Sequence, residues 1–217
     1  VLSHLYTVAS SEWEWLETNP VRRVRRPKLP RGRVRFLDKD ELSALLSACQ
    51  RSEHPCLYPI VVLAVSTGMR KGEMLGLCWQ DIDLVRNRIT LEQTKNGDRR
   101  SVPLVGRARV AIGEYAKVRR IDTSLVFPSR RKPSIPADLR KPWAKAVETA
   151  GLADFRFHDL RHTCASYLAM SGATLAEISE VLGHKTLAMV KRYAHLSESH
   201  TTKVVERMNG TMFDSVS

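Results

Sequence analysis

HDLRHTCASYLAMSG, residues 158–172, sets two histidines and an arginine within five residues at the mouth of an apolar helix. Leu160, Cys164, Tyr167 and Leu168 recur at the spacing of one helix face. Gly172 supplies the stop. His158 and Arg161 are three apart, and His158 and His162 four apart, so both pairs share a helix face. Two chemistries compete for them. Histidines at i and i+4 match a zinc-binding helix, with Asp159 in place of the usual Glu and His184, His195 or Cys164 as a third ligand. A helix N-terminus beside an arginine is instead suited to phosphate. The zinc reading leaves Arg161 repelling the metal, whereas the phosphate reading employs it.

Working outward, the C-terminal side reads VLGHKTLAMVKRYAHL. Thr174 and Glu177 form a capping box that starts a helix over Leu175–Leu182. Gly183 ends that helix, which puts His184 on an exposed turn. A further helix over Leu187–Leu196, with Leu187 and Val190 on its apolar face, carries Tyr193. On the N-terminal side, Asp38 and Glu41 make another capping box. CLYPIVVLAVSTG is apolar nearly all round and predicts a core helix ending near Gly68. Arg70 follows the tight Thr67-Gly68 turn, and a short helix comes next. Residues 82–104 alternate polar and apolar around two turns, one of them Asn96-Gly97, a type I′ hairpin signal. They predict a three-stranded antiparallel meander with Lys95 beside its second turn. Helices return at about Gly106–Arg119 and Ala137–Ala150. The fold class is mainly α with one small antiparallel β-sheet (α+β).

The 217 residues carry a formal charge of +12 at an isoelectric point near 9.9. That balance points to a polyanionic partner. Eight of the cations lie in VRRVRRPKLPRGRVR with no acid among them: Arg22, Arg23, Arg25, Arg26, Lys28, Arg31, Arg33 and Arg35. This run reads as a linker whose cations follow nucleic acid. The four cysteines, Cys49, Cys56, Cys78 and Cys164, form no CxxC pair and sit among apolar residues, as buried free thiols do in a reducing compartment. No apolar run is long enough for a signal peptide or a membrane span. The first residues, with Trp13 and Trp15, look like the end of a helical domain whose remainder lies outside this chain.

Four boxes together resemble the catalytic domain of the tyrosine recombinase (phage integrase) family. They are TGMRKGEMLGL, TKNGDRRSVPL, HDLRHTCASYL and LGHKTLAMVKRYAHL, in order and at family-like spacing from about Phe36 to Leu196. The resemblance implies a catalytic set of Arg70, Lys95, His158, Arg161, His184 and Tyr193, with Glu73 in support. It implies domains at 1–19 (the end of a core-binding domain), 20–35 (the basic linker), 36–196 (catalytic) and 197–217 (a tail that docks on a neighbouring subunit). It implies double-stranded DNA with paired recombination sites as partner, a homotetramer on that DNA, no membrane, and a cytoplasmic setting that is nucleoid-associated if the source is bacterial.

The implied chemistry fits these residue types. Arg70 and Arg161 can each hold non-bridging phosphate oxygens with two hydrogen bonds. Free tyrosine has a pKa near 10, so Tyr193 needs cations nearby and an acceptor for its proton, which the resemblance assigns to His158. His184 would donate to a phosphate oxygen, and Lys95 would protonate the departing 5′ oxygen. The 3′-phosphotyrosine conserves the ester bond, so strand exchange would need no cofactor, no metal and no ATP. His162 reads as structural in this scheme. Three rivals stay open at this point: a type IB topoisomerase, a DNA-binding regulator without catalysis, and a zinc hydrolase.

Overall fold

The computed structural model describes residues 1–25, 35–91, 99–184 and 186–213, and of residues 197–201 and 203 the backbone only. The chain divides into two compact units, Val1–Arg33 and Val34–Ser217. In the first, α1 spans Leu2–Ser11 and a 3-10 turn spans Pro20–Arg23. Asn19 ties them together. Its side chain accepts from the Val21 amide at 3.0 Å and donates to the Ser3 carbonyl at 2.8 Å. Trp13 and Trp15 lie ring against ring, with centroids 4.7 Å apart, and both are exposed.

The second unit is built around α3 (Leu57–Thr67), which is buried over nearly its whole length. α2 (Lys39–Gln50), α5 (Gly106–Ala116) and α7 (Asp159–Met170) pack around it. The Asp38–Glu41 capping box that starts α2 is formed in both directions. Arg35, expected among the DNA-contacting linker cations, makes contacts within the fold. Its guanidinium grips both Glu41 oxygens, at 2.8 and 2.5 Å, and lies over the Phe155 ring. Arg26, Lys28, Arg31 and Arg33 lie outside the described residues.

α4 (Lys71–Leu75) leads to the sheet, β1 (Ile82–Asp83), β2 (Arg88–Leu91) and β3 (Arg100–Pro103), an antiparallel meander in the order β1-β2-β3. Ile89 pairs with Val102 and Leu91 with Arg100. Ile89, Leu91 and Val102 are buried while their neighbours along the strands are not, so the period of two holds. The Asn96-Gly97 turn lies outside the described residues. α6 (Arg140–Thr149) starts later than the sequence suggests. Pro142 falls in its first turn, where an amide has no helical partner to lose.

α8 (Leu175–Leu182) begins at the Thr174–Glu177 capping box. The helix expected over Leu187–Leu196 is not α-helical. Two 3-10 segments, Leu187–Met189 and Lys191–Ser197, take its place, and α9 (Glu198–Phe213) follows. Leu187, Val190, Tyr193 and Leu196 are spaced by three, which aligns side chains on one face of a helix with three residues per turn. Val190 and Tyr193 are buried in a small core with Cys164, Ala165, Ile178 and Leu182. Cys49, Cys56 and Cys164 are buried thiols, but Cys78 is partly exposed beside a surface turn.

Candidate active site

Two helix ends create the site. α3 and α8 both stop at a left-handed glycine, Gly68 (φ 62°) and Gly183 (φ 64°). The last carbonyls of a helix have no partner within it and form the negative end of its dipole. Arginines take them. Arg161 Nη1 donates to the Gly68 carbonyl at 2.6 Å, and Arg70 Nη2 to the Gly183 carbonyl at 3.1 Å. Gly68 also sits where a side chain could not. A Cβ there would stand 2.3 Å from Leu182 Cδ2.

Arg161 projects from the first turn of α7. That turn is anchored by Asp159, whose carboxylate accepts from the Arg156 amide at 2.8 Å, and by Thr163, whose hydroxyl accepts from the Leu37 amide at 3.1 Å. Arg161 is 4% exposed, and its Nη2 has no partner. Burial first, then the charges of Arg70 and Arg100, pull its pKa down to about 10. These cations therefore repel one another in the absence of an anion. Glu73 relieves part of that repulsion. One oxygen accepts from Arg70 Nη1 at 2.7 Å; the other accepts from the Arg70 amide at 2.9 Å and from Arg100 Nη2 at 2.7 Å. Burial alone would raise the Glu73 pKa, but these bonds and charges outweigh it, so the carboxyl is held below its usual range.

Three histidines surround the arginines. His158 is exposed at the mouth of α7, and desolvation followed by Arg161 lowers its pKa. His184 is half-buried rather than on an open turn. Desolvation and the charges of Arg161, Arg70, Arg192 and Arg100 bring it down to about 4, and its Nδ1 is buried without a partner. His162 falls to about 4 as well, through desolvation and then His158. With pKa values of about 4, His162 and His184 are neutral near pH 7.

His162, which reads as structural in the sequence, contacts both Tyr193 and His158. Its Nδ1 lies 2.5 Å from the Tyr193 hydroxyl, and its ring stands edge-to-face with His158 at 5.3 Å. With its Nδ1 unprotonated, a neutral His162 can accept the phenolic hydrogen bond. Tyr193 itself is 2% exposed, and desolvation raises its pKa despite the lowering effect of Arg192 and Arg161. Thus Arg70, Glu73, His158, Arg161, His184 and Tyr193 converge, and Lys95 lies outside the described residues. His162 joins them, as do Arg100 and Arg192, which the sequence alone does not single out. Arg100 does carry a signal: it is in phase with Val102 and Leu104 on the apolar side of its strand. A buried strand position occupied by arginine calls for a buried partner. Among the described residues, no three His, Cys, Asp or Glu side chains gather as a metal ion would require, and no helix is long and apolar enough to cross a membrane.

Residues 35–200 match the model of the phage integrase family. The chain belongs to that family. A shufflon-specific DNA recombinase of Escherichia coli is 36% identical over 198 residues, which is 90% of this chain and 49% of that protein. The crystal structure of a XerA recombinase superposes with a TM-score of 0.68 at 28% identity, over 84% of this chain and 66% of that one. The catalytic domain of the bacteriophage HP1 integrase gives a TM-score of 0.63 at 26% identity, over 85% of this chain and 97% of that domain. This integrase-family chain spans about half the length of the curated relatives it matches.

Proposed function

We propose that the chain is the catalytic part of a site-specific DNA recombinase that breaks and rejoins strands through Tyr193. The observation that carries this reading is the pair of Arg70, part-buried, and Arg161, buried. Each is held by a helix-end carbonyl, and Arg161 keeps one guanidinium nitrogen unpartnered. Donors fixed in advance in a low-dielectric site are what a phosphoryl transition state needs, because charge builds on the non-bridging oxygens as the nucleophile arrives.

In the proposed reaction the Tyr193 oxygen attacks the scissile phosphorus and its proton passes to an imidazole. The family resemblance assigns that proton to His158, and the short bond favours His162 as its first holder. The bond from phosphorus to the 5′ oxygen breaks, and Lys95 supplies the proton that makes a 5′ hydroxyl. A 5′ hydroxyl from another strand then attacks the 3′-phosphotyrosine and restores the phenol. Bond for bond the exchange balances, with no ATP and no metal ion.

The net charge of +12 favours a DNA partner, and Arg22, Arg23 and Arg25, all exposed in the first unit, suit phosphate binding. α9 leaves Val204, Val205, Met208, Met212 and Phe213 exposed, which supports docking on a second copy within a tetramer on paired sites. Such a reaction belongs in the cytoplasm, on nucleoid or element DNA.

The test uses a pool of nicked duplexes of random sequence, labelled on the nicked strand. The native chain should form an SDS-resistant adduct and transfer the label to a second duplex. Tyr193→Phe should bind the pool equally well and form no adduct. An adduct of normal yield with the phenylalanine variant would remove Tyr193 from the mechanism, and religation without transfer would mean a topoisomerase instead.

A further inference from the structure

β3 delivers a side chain that phosphate chemistry alone does not require. Arg100 pairs with Leu91 across the ladder, and its side chain, 12% exposed, enters the core side of the sheet. There it makes two divergent bonds. Nη2 donates to Glu73 at 2.7 Å, and Nη1 donates to the Val181 carbonyl at 2.8 Å, near the end of α8. Glu73 holds Arg70, and Arg70 reaches back to the Gly183 carbonyl. The bonds close a ring: Arg100, Glu73, Arg70, the end of α8, and Arg100 again. His184 follows directly on that ring. Gly183 leaves the guanidinium its space, since a Cβ there would lie 2.8 Å from Nη1 and 2.9 Å from Cδ.

We infer that Arg100 is a positioning residue for strand cleavage, holding Glu73 and the Val181–His184 turn in one frame so that Arg70 and His184 act on the same phosphate. This rests on the reading of Arg70 as a phosphate ligand. Two effects combine. The first is geometric. Arg70 belongs to the segment after α3 and His184 to the segment after α8, and more than a hundred residues separate them. The planar fork of Arg100, with a donor on each arm, bridges the two at once and reinforces the direct bond from Arg70 to Gly183. The second is electrostatic. Glu73 paired with Arg70 alone would cancel the charge intended for the phosphate. Shared between two guanidinium groups, it leaves the trio at a net positive charge.

Single-turnover cleavage of the labelled nicked-duplex pool tests this in Arg100→Gln, Arg100→Lys, Arg70→Ala and the Arg70→Ala/Arg100→Gln double variant, alongside filter binding and thermal melting. Arg100→Gln should bind DNA within about twofold of the native chain and cleave on the order of 10–100-fold more slowly, as a misplaced site does. Arg100→Lys keeps the charge and one bond, and should recover part of that loss. In the Arg70→Ala background the same glutamine should cost a much smaller factor, because two residues acting as one unit are not additive. Equal factors in the two backgrounds, or a native rate for Arg100→Gln, would overturn the inference. So would a loss that follows the unfolded fraction, with lysine no better than glutamine, since Arg100 would then serve folding alone. Failure of the phosphate-ligand reading has a separate signature: Arg70→Ala itself would cleave at the native rate.

Discussion

Replacing Gly68 with alanine adds one methyl group to the backbone whose carbonyl holds Arg161. Two penalties follow. The residue sits at φ 62°, where an L side chain costs about 1–2 kcal/mol. The new Cβ would also lie 2.3 Å from Leu182 Cδ2 and 3.3 Å from Cys164 Sγ. Leu182 is fully buried in the small core under Tyr193, so it has little room to give; forcing a methylene into such packing costs about 1–3 kcal/mol. Together they come to about 2–5 kcal/mol, which lowers the melting temperature of a chain of this size by roughly 4–20 °C. Activity should fall further than stability. Displacing the Gly68 carbonyl moves the guanidinium bonded to it at 2.6 Å, and a shift near 1 Å costs cleavage about 100-fold. Gly72→Ala is the internal control. A Cβ at Gly72 meets nothing within 4 Å, and the residue lies in α4, where alanine should add about 0.5–1 kcal/mol. Differential scanning calorimetry and adduct formation at about 20 °C read both. If Gly68→Ala melts at or above the native temperature, or if the two variants shift in the same direction, the packing argument around Arg161 is wrong.

His162 and His184 have pKa values near 4 in the folded chain, against about 6.5 when unfolded. The unfolded state therefore binds more protons between pH 6.5 and 4, so their contribution to stability is complete above that window and is lost as pH falls through it. After discounting for partial solvent exposure, the two should cost about 2 kcal/mol in total by pH 5. Urea midpoints at pH 7.5 and 5 measure it, and a His184→Gln variant should show a flatter curve. A stability that stays level or rises on acidification would contradict the sign. In the linker, neutralising Arg22, Arg23, Arg25 and Arg26 should flatten the salt dependence of DNA binding by roughly 0.9 for each phosphate no longer neutralised. Arg35→Gln should leave that slope unchanged and cost about 1 kcal/mol of stability through Glu41. An altered slope for Arg35→Gln alone would return that residue to the DNA.

What the sequence makes legible is local. The boxes at Asp38 and Thr174 form because cap and acceptor are three residues apart, and both helices begin there. The alternation around Ile89 and Val102 likewise writes the meander into neighbouring residues. The six residues that match the family boxes can be named because their types and order are distinctive. The frame that holds them cannot, because its bonds run between segments remote in the chain: Arg161 to Gly68, Arg70 to Gly183, Arg100 to Val181. No window of a dozen residues contains both ends of any of them. The segment around Tyr193 misleads for another reason. A spacing of three satisfies an α-helical face for a turn or two, and only burial of Val190 and Tyr193 together distinguishes the tighter helix.

That tighter helix makes the position of the Tyr193 phenol a matter of winding. A 3-10 run of seven residues, as in Lys191–Ser197, is long for the type, whose hydrogen bonds are poorer than those of an α-helix. Per residue it rises about 2.0 Å and turns about 120°, against about 1.5 Å and 100° for the α form. Rewinding those seven residues would draw their ends together by roughly 3.5 Å. Tyr193, third in the run, would swing by about 60° around the axis, away from its place beside His162. The same rewinding would pull on the start of α9, which continues the chain without a break. The phenol and the C-terminal helix thus share one continuous run of backbone, so the winding of that run sets the place of both.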